Sequence, residues 1–135
     1  MALGTKEARG SYVIGVHRSL IGMRVVNNDR EDLGRIEDVL LDTRNNRASY
    51  AILSFGGMLG IGDKHFALPW EALVFDLSQK IAIVDVDKER LKNAPGFDKD
   101  SWPDVADAAW GERVYTYYGY APYWQEEATI PTPKT

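Results

Sequence analysis

From residue 20 onward the chain breaks into short apolar runs separated by turn residues, a spacing that predicts strands. Residues 20–26 (LIGMRVV) form the first run and end at Asn27-Asn28-Asp29, side chains that tolerate positive φ and bond their own backbone. Residues 34–42 are the second. Ile36 and Val39 have opposite parity there while Val39 and Leu41 share one, so a bulge near Glu37-Asp38 would bring all three to a common inner face. A hairpin turn over 44–47 leads to a third strand, 48–55, and the glycine-rich connection 56–63 leads to a fourth, 64–68. Pro69 suits the first position of one helical turn. Residues 74–77 and 80–86 then pair across Ser78-Gln79 as a last hairpin.

Five or six short strands in under 80 residues predict a small β-barrel or sandwich. Residues 48–53 (ASYAIL) and 81–86 (IAIVDV) are apolar at both parities, whereas a strand with one wet face alternates. Both strands are therefore expected to be covered on the outside as well as inside.

A candidate cover follows them. Residues 87–93 read as a short helix capped by Asp87 and stopped by Pro95-Gly96, and 110–118 as a helix ended by Gly119. Five of the seven tyrosines and three of the four tryptophans lie after residue 100, and side chains that bury so much area do not hang free in water. This segment either wraps its own barrel or docks on a second chain. Trp110, Tyr117, Tyr118, Tyr123 and Trp124 are its candidate contact residues, with Leu59 and Ile61 on the glycine-rich connection, which either plug one barrel end or form a contact surface. The expected organisation is a leader with an edge strand or a segment lying across the barrel (1–18), a barrel (19–86), a helical aromatic extension (87–125) and a disordered tail (126–135).

Composition narrows the function. A net charge of -4, spread without blocks, argues against a polyanion as the main partner, and no nucleic acid is expected. The absence of cysteine removes thiolate metal sites and cysteine nucleophiles and fits a reducing compartment. Residues 1–19 lack the continuous apolar segment of a signal peptide, and no apolar run reaches the roughly 18–20 residues that span a bilayer. A cytoplasmic protein without a transmembrane segment is expected.

The chemistry-bearing motifs are weak. The glycines of 56–62 are in the wrong order for a phosphate-binding G-x-G-x-x-G and precede a strand, so no cofactor is expected. Asn28-Asp29-Arg30-Glu31-Asp32-Leu33-Gly34 has a faint likeness to a calcium loop. Asp29, Glu31 and Asp32 are its candidate ligands, but Leu33 and Leu40 stand where oxygen ligands belong, and an acidic solvent-facing turn is the plainer reading. His17 and His65 are far apart in sequence, and no metal site is expected from them. Asp38 is expected to be partly buried and bonded to a backbone amide. No nucleophile–base pair is identifiable, so the chain is not expected to be an enzyme. Trp70 reads as a core cap closing the barrel.

Leu20-Ile21-Gly22, residues 32–39 (DLGRIEDV), 59–64 (LGIGDK) and 66–73 (FALPWEAL) together resemble the PRC-barrel family, over about residues 19–86. Arg30 departs from it, standing where many members have glycine, which leaves a differently shaped loop open. The resemblance implies a six-stranded β-barrel used as a non-enzymatic interaction or assembly module. Its relatives include the cytoplasmic part of the photosynthetic reaction centre H subunit and a domain of a ribosome-maturation factor. It is most similar to the small stand-alone bacterial members. A self-associating module, with a homodimer as default, is therefore the first expectation. A small-ligand or cation-binding barrel, or an accessory protein of a photosynthetic or electron-transfer complex, is the alternative.

Overall fold

The apolar runs become seven strands of one sheet in a computed structural model of the chain, which describes residues 12–55 and 64–125. In chain order they are β1 (Arg24–Val26), β2 (Asp32–Asp42), β3 (Arg47–Phe55), β4 (Lys64–Pro69), β5 (Leu73–Asp76), β6 (Ile81–Val84) and β7 (Gly96–Asp98). A single 3-10 turn, Trp70–Ala72, joins β4 to β5, and two helices follow β6: α1 (Lys88–Lys92) and α2 (Ala108–Tyr117). The strand order is β5-β6-β1-β2-β3-β4-β7, antiparallel throughout except for the parallel pair β1–β6.

Alternate residues of β1 to β6 meet in one apolar cluster that includes Val25, Ile36, Leu53, Phe66, Leu73 and Val84, so the sheet curls around a single inner core. Trp70 packs against this core at 5.5 Å from Phe75, between ring centroids, and is half-buried. The predicted bulge is present: the β2–β3 register slips between Ile36 and Asp38, where the Asp38 carboxylate accepts the Val39 N–H at 2.8 Å. Asp38 itself is exposed. Just before the bulge, Gly34 has φ +120 and lies so close to β3 that a Cβ would sit 2.2 Å from the Ser54 carbonyl oxygen, a place open only to glycine.

Four expectations change. A seventh strand, β7, adds to the β4 edge, because three residues after a helix carry no periodicity to announce them. The end strands β5 and β7 are not paired with each other, so the sheet is curled rather than closed by hydrogen bonds. The first strand begins at Arg24, not at 20: Gly22 turns the chain at φ +89, and the segment before it is one wide helical turn, Val16–Leu20, that drops Leu20 and Ile14 onto the inner core. Leu41 is 66% exposed although it shares the parity of Val39: the second slip, between Leu40 and Leu41, passes over Ser49 on β3, and no core residue among those described covers this end of β2. The turn at Arg30 keeps the left-handed conformation, φ +65, with an arginine in it. The leader 1–11, the connection carrying Leu59 and Ile61, and the tail 126–135 lie outside the described residues.

Candidate interaction surfaces

The outer face of β3 and β4 is covered by the chain's own carboxy-terminal segment. Helix α2 starts at Asp107, whose carboxylate accepts the Ala109 N–H at 3.2 Å. It ends in paired bonds from Gly119 N–H to Thr116 O and Tyr120 N–H to Tyr115 O, each 3.0 Å. Its buried residues, Trp110, Gly111, Val114 and Tyr115, lie on one face and meet Tyr50, Ile52, Ala67 and Phe97 in a second apolar cluster. Tyr50 is ringed by Trp110 at 5.2 Å and Tyr115 at 5.6 Å between centroids, and Tyr115 by Trp124 at 5.0 Å. Glycine in mid-helix costs about 1 kcal/mol relative to alanine, and here the reason is contact. A Cβ on Gly111 would stand 2.3 Å from the Tyr50 hydroxyl and 2.8 Å from the Trp124 ring.

Polar bonds fix this lid in register. The Tyr115 hydroxyl donates to Ser49 O at 2.8 Å and meets a Glu71 carboxylate oxygen at 3.0 Å. Glu71 in turn pairs with Arg47 at 3.0 Å, and the Arg47 guanidinium lies 3.7 Å above the Tyr123 ring. The Tyr123 hydroxyl shares a hydrogen bond with the Ser49 hydroxyl at 2.6 Å and donates to Asp42. Burial, then the bond to Asp42, pushes the Tyr123 hydroxyl up to about 12. Burial acts to raise Asp42, but hydrogen bonds from Tyr123, Asn45 and Arg44 outweigh it and hold the carboxyl below its ordinary range. Burial, with Glu71 adding to it, pushes Tyr115 up as well.

Of the predicted contact residues, Trp110 is therefore buried against β3, and Tyr123 and Trp124 are half-buried in the same cluster. Tyr118 packs between the two clusters, and its hydroxyl is buried without a hydrogen-bond partner among the described residues. Tyr117 turns to α1, where its hydroxyl bonds the Arg90 carbonyl and the Arg90 guanidinium sits 5.1 Å from its ring. Of the two alternatives the sequence left open, own barrel or second chain, Trp110, Tyr118, Tyr123 and Trp124 take the first and pack on their own barrel, while Tyr117 packs on α1 of the same chain.

The candidate metal ligands are not brought together. The buried Asn27 organises the loop, accepting N–H bonds from Asp29 at 3.0 Å and Glu31 at 2.9 Å and donating to the Glu31 carboxylate at 2.7 Å. Asp32 accepts the Gly34 N–H at 3.0 Å and lies 3.9 Å from Arg24. No group of three His, Asp or Glu side chains able to hold a metal occurs among the described residues. His65 is buried edge-on against Phe97 and Trp102, at 5.8 and 5.9 Å, beside a cleft of about 600 Å³ that Asp38 and Lys64 also line.

Two features were missed in the sequence. One is a row of paired β-branched residues on the outer face of β1, β6 and β5: Val26 is 1% exposed, Ile83 is half-buried and Val74 is 63% exposed. The other is a cleft of about 550 Å³ beneath the segment 12–21, into which Arg18, Arg24, Arg35 and Lys80 converge. Only register could have revealed the first, and the second joins cations up to 62 positions apart, Arg18 and Lys80.

The PRC-barrel domain model matches residues 17–91, more than half of the chain, and the protein belongs to that family. No curated protein matches it. Among solved structures it is similar to a 16S ribosomal RNA processing protein, RimM, from Pseudomonas aeruginosa, at 22% identity and a TM-score of 0.39. That match covers 56% of this chain and 45% of the other, so the chain spans less than half of that protein's length. No helix among the described residues is long and apolar enough to cross a membrane.

Proposed function

We propose that this PRC-barrel protein is a non-enzymatic, cytoplasmic assembly module that pairs with a second copy of itself through the outer face of β5 and β6. The observation that carries the reading is the row Val26–Ile83–Val74, which runs from buried to open as it approaches the β5 edge. A β-branched residue at an edge, in line with apolar neighbours, is suited to continue its packing on another chain. The same face of two copies can meet about a two-fold axis, the commonest closed arrangement. The non-enzymatic part is supported by the hydroxyls at the lid contact: Ser49 and Tyr123 bond each other, Tyr123 also bonds Asp42, and Tyr115 bonds the Ser49 carbonyl and Glu71, so each is engaged in holding the lid.

Sedimentation velocity over a concentration series tests the reading. The full chain is expected to shift from monomer to dimer, and Val74→Asp to remain monomeric with an unchanged melting temperature. A monomer at every concentration, or a dimer unaffected by Val74→Asp, overturns it.

A further inference from the structure

The cleft beneath the amino-terminal segment has a charge opposite to that of the chain. Four cationic side chains line it and no carboxylate does, although the whole sequence carries a net charge of -4. Arg24 leans towards Asp32 at 3.9 Å, and Arg35 donates to the Gly22 carbonyl at 3.1 Å. Asp76, nearby on β5, is engaged by the Ser78 hydroxyl at 2.7 Å and the Gln79 N–H at 3.2 Å. Arg18 and Lys80 have no ion-pair partner among the described residues. Lys80 moreover occupies a hairpin position at φ +59, a conformation that favours glycine or asparagine, so a lysine stands there against the local backbone preference.

Exposed apolar side chains occupy the segment that carries Arg18, and two of them, Tyr12 and Ile21, line the clefts themselves. A second cleft shares Ile14 and Leu77 with the first, and Tyr12, Phe75 and Ser78 complete its lining, again without a carboxylate. Tyr12, Val13, Val16 and Ile21 are 76, 70, 42 and 37% exposed, half of the large exposed hydrophobic residues among those described, and all lie within ten positions. Apolar residues that project beside a cationic patch mark a site for an amphipathic anionic partner.

We infer that this surface docks on an anionic lipid bilayer, with Arg18, Arg24, Arg35 and Lys80 at the headgroup phosphates and Tyr12, Val13 and Val16 at the headgroup–acyl boundary. A second copy cannot occupy it about a two-fold axis, because four cations would face four cations. A soluble phosphate would engage the cations and leave the apolar residues in water. An acidic protein would need pockets shaped for Tyr12 and Val13, whereas a fluid boundary accepts protruding side chains of any shape and suits tyrosine. The inference does not rest on the proposed dimer, since Val74 and Ile83 line neither cleft.

Co-sedimentation of the full chain with vesicles tests it, comparing phosphatidylcholine alone with phosphatidylcholine containing about one-third phosphatidylserine. Binding to the anionic vesicles only, lost at high salt, is expected. Arg18→Ala with Lys80→Ala should weaken it about 25-fold, roughly fivefold for each charge. Val13→Asp should weaken it while leaving all four cations in place. Circular dichroism of each variant confirms that it is folded, and folding is expected because the replaced side chains are exposed. No binding at low salt, or binding unchanged in the double variant, overturns the inference. So does binding insensitive to Val13→Asp but competed by inositol hexakisphosphate, which would show a site for phosphate alone. Binding to polyglutamate but not to vesicles overturns it in favour of an acidic protein.

Discussion

The outer faces of β3 and β6 start from the same kind of sequence and end differently. Both strands are apolar at both parities. On β3 the outward residues Tyr50 and Ile52 are 4 and 0% exposed, under a helix, two tyrosines and two tryptophans from the same chain. On β6 the outward Ile83 is half-buried, and its neighbour across the pair, Val74, is open. The difference lies in position. β3 lies two strands from the nearer sheet edge, so a lid laid over it also rests on β4 and β7 through Ala67 and Phe97, whereas β6 is one strand from the edge. An apolar pattern thus states that a face is suited to a cover without saying whether the chain itself supplies it.

The largest test breaks the lid at its centre. Trp110→Ala is expected to cost about 3–5 kcal/mol in urea denaturation, whereas Val74→Ala should stay within about 0.5 kcal/mol in the monomer. Equal losses at the two sites would remove the contrast. Next comes Gly111→Ala, which improves helix propensity yet is expected to lose about 1–3 kcal/mol through overpacking against Tyr50 and Trp124. Tyr50→Phe removes the nearer obstacle, so a double-mutant cycle should show the two changes partly compensating. Additive losses would mean that the helix does not approach β3 as described.

Tyr123→Phe is a smaller perturbation, about 1 kcal/mol, and it also sharpens the comparison through pH. Because the folded state pushes the Tyr123 hydroxyl from 10.0 up to about 12, its contribution is complete below pH 10 and is lost as pH rises through about 12. Asp42 has the opposite sign: held below 3.8 in the folded state, its contribution is present above that pH and disappears as the carboxyl protonates below it. Near-ultraviolet circular dichroism, which reports packed tyrosines, should show lid loosening between these alkaline limits in the parent chain and a weaker change in Tyr123→Phe. The smallest effect is expected on the uncovered side. Arg30→Gly relieves a left-handed arginine at the cost of unfolded-state freedom, for a net gain of about 0.5 kcal/mol in thermal unfolding.

Much of this arrangement was legible beforehand. The bulge at Glu37-Asp38 follows from the parity of Ile36 and Val39, and the cap at Asp87 is seen in its 2.7 Å bond to the Arg90 N–H. The end of α2 at Gly119 follows from glycine's access to positive φ. Leu41 was misplaced because parity tells which face a side chain takes and not whether that end of the face is covered. The start of β1 was misplaced because residues 20–23 are as apolar as a strand, although Leu20 and Met23 reach the core from a turn.

Local chemistry along the chain settled where strands begin and break, which helices are capped, and that some aromatic cover had to exist, since parity, caps and turn residues act over a few positions. Tertiary structure alone decided that the cover is the chain's own, that Val74 is left open, and that Arg18, Arg24, Arg35 and Lys80 meet in one cleft. Those outcomes depend on which strands become neighbours and on what then fills the space between them. That is a property of the assembled sheet, and no segment of the sequence carries it.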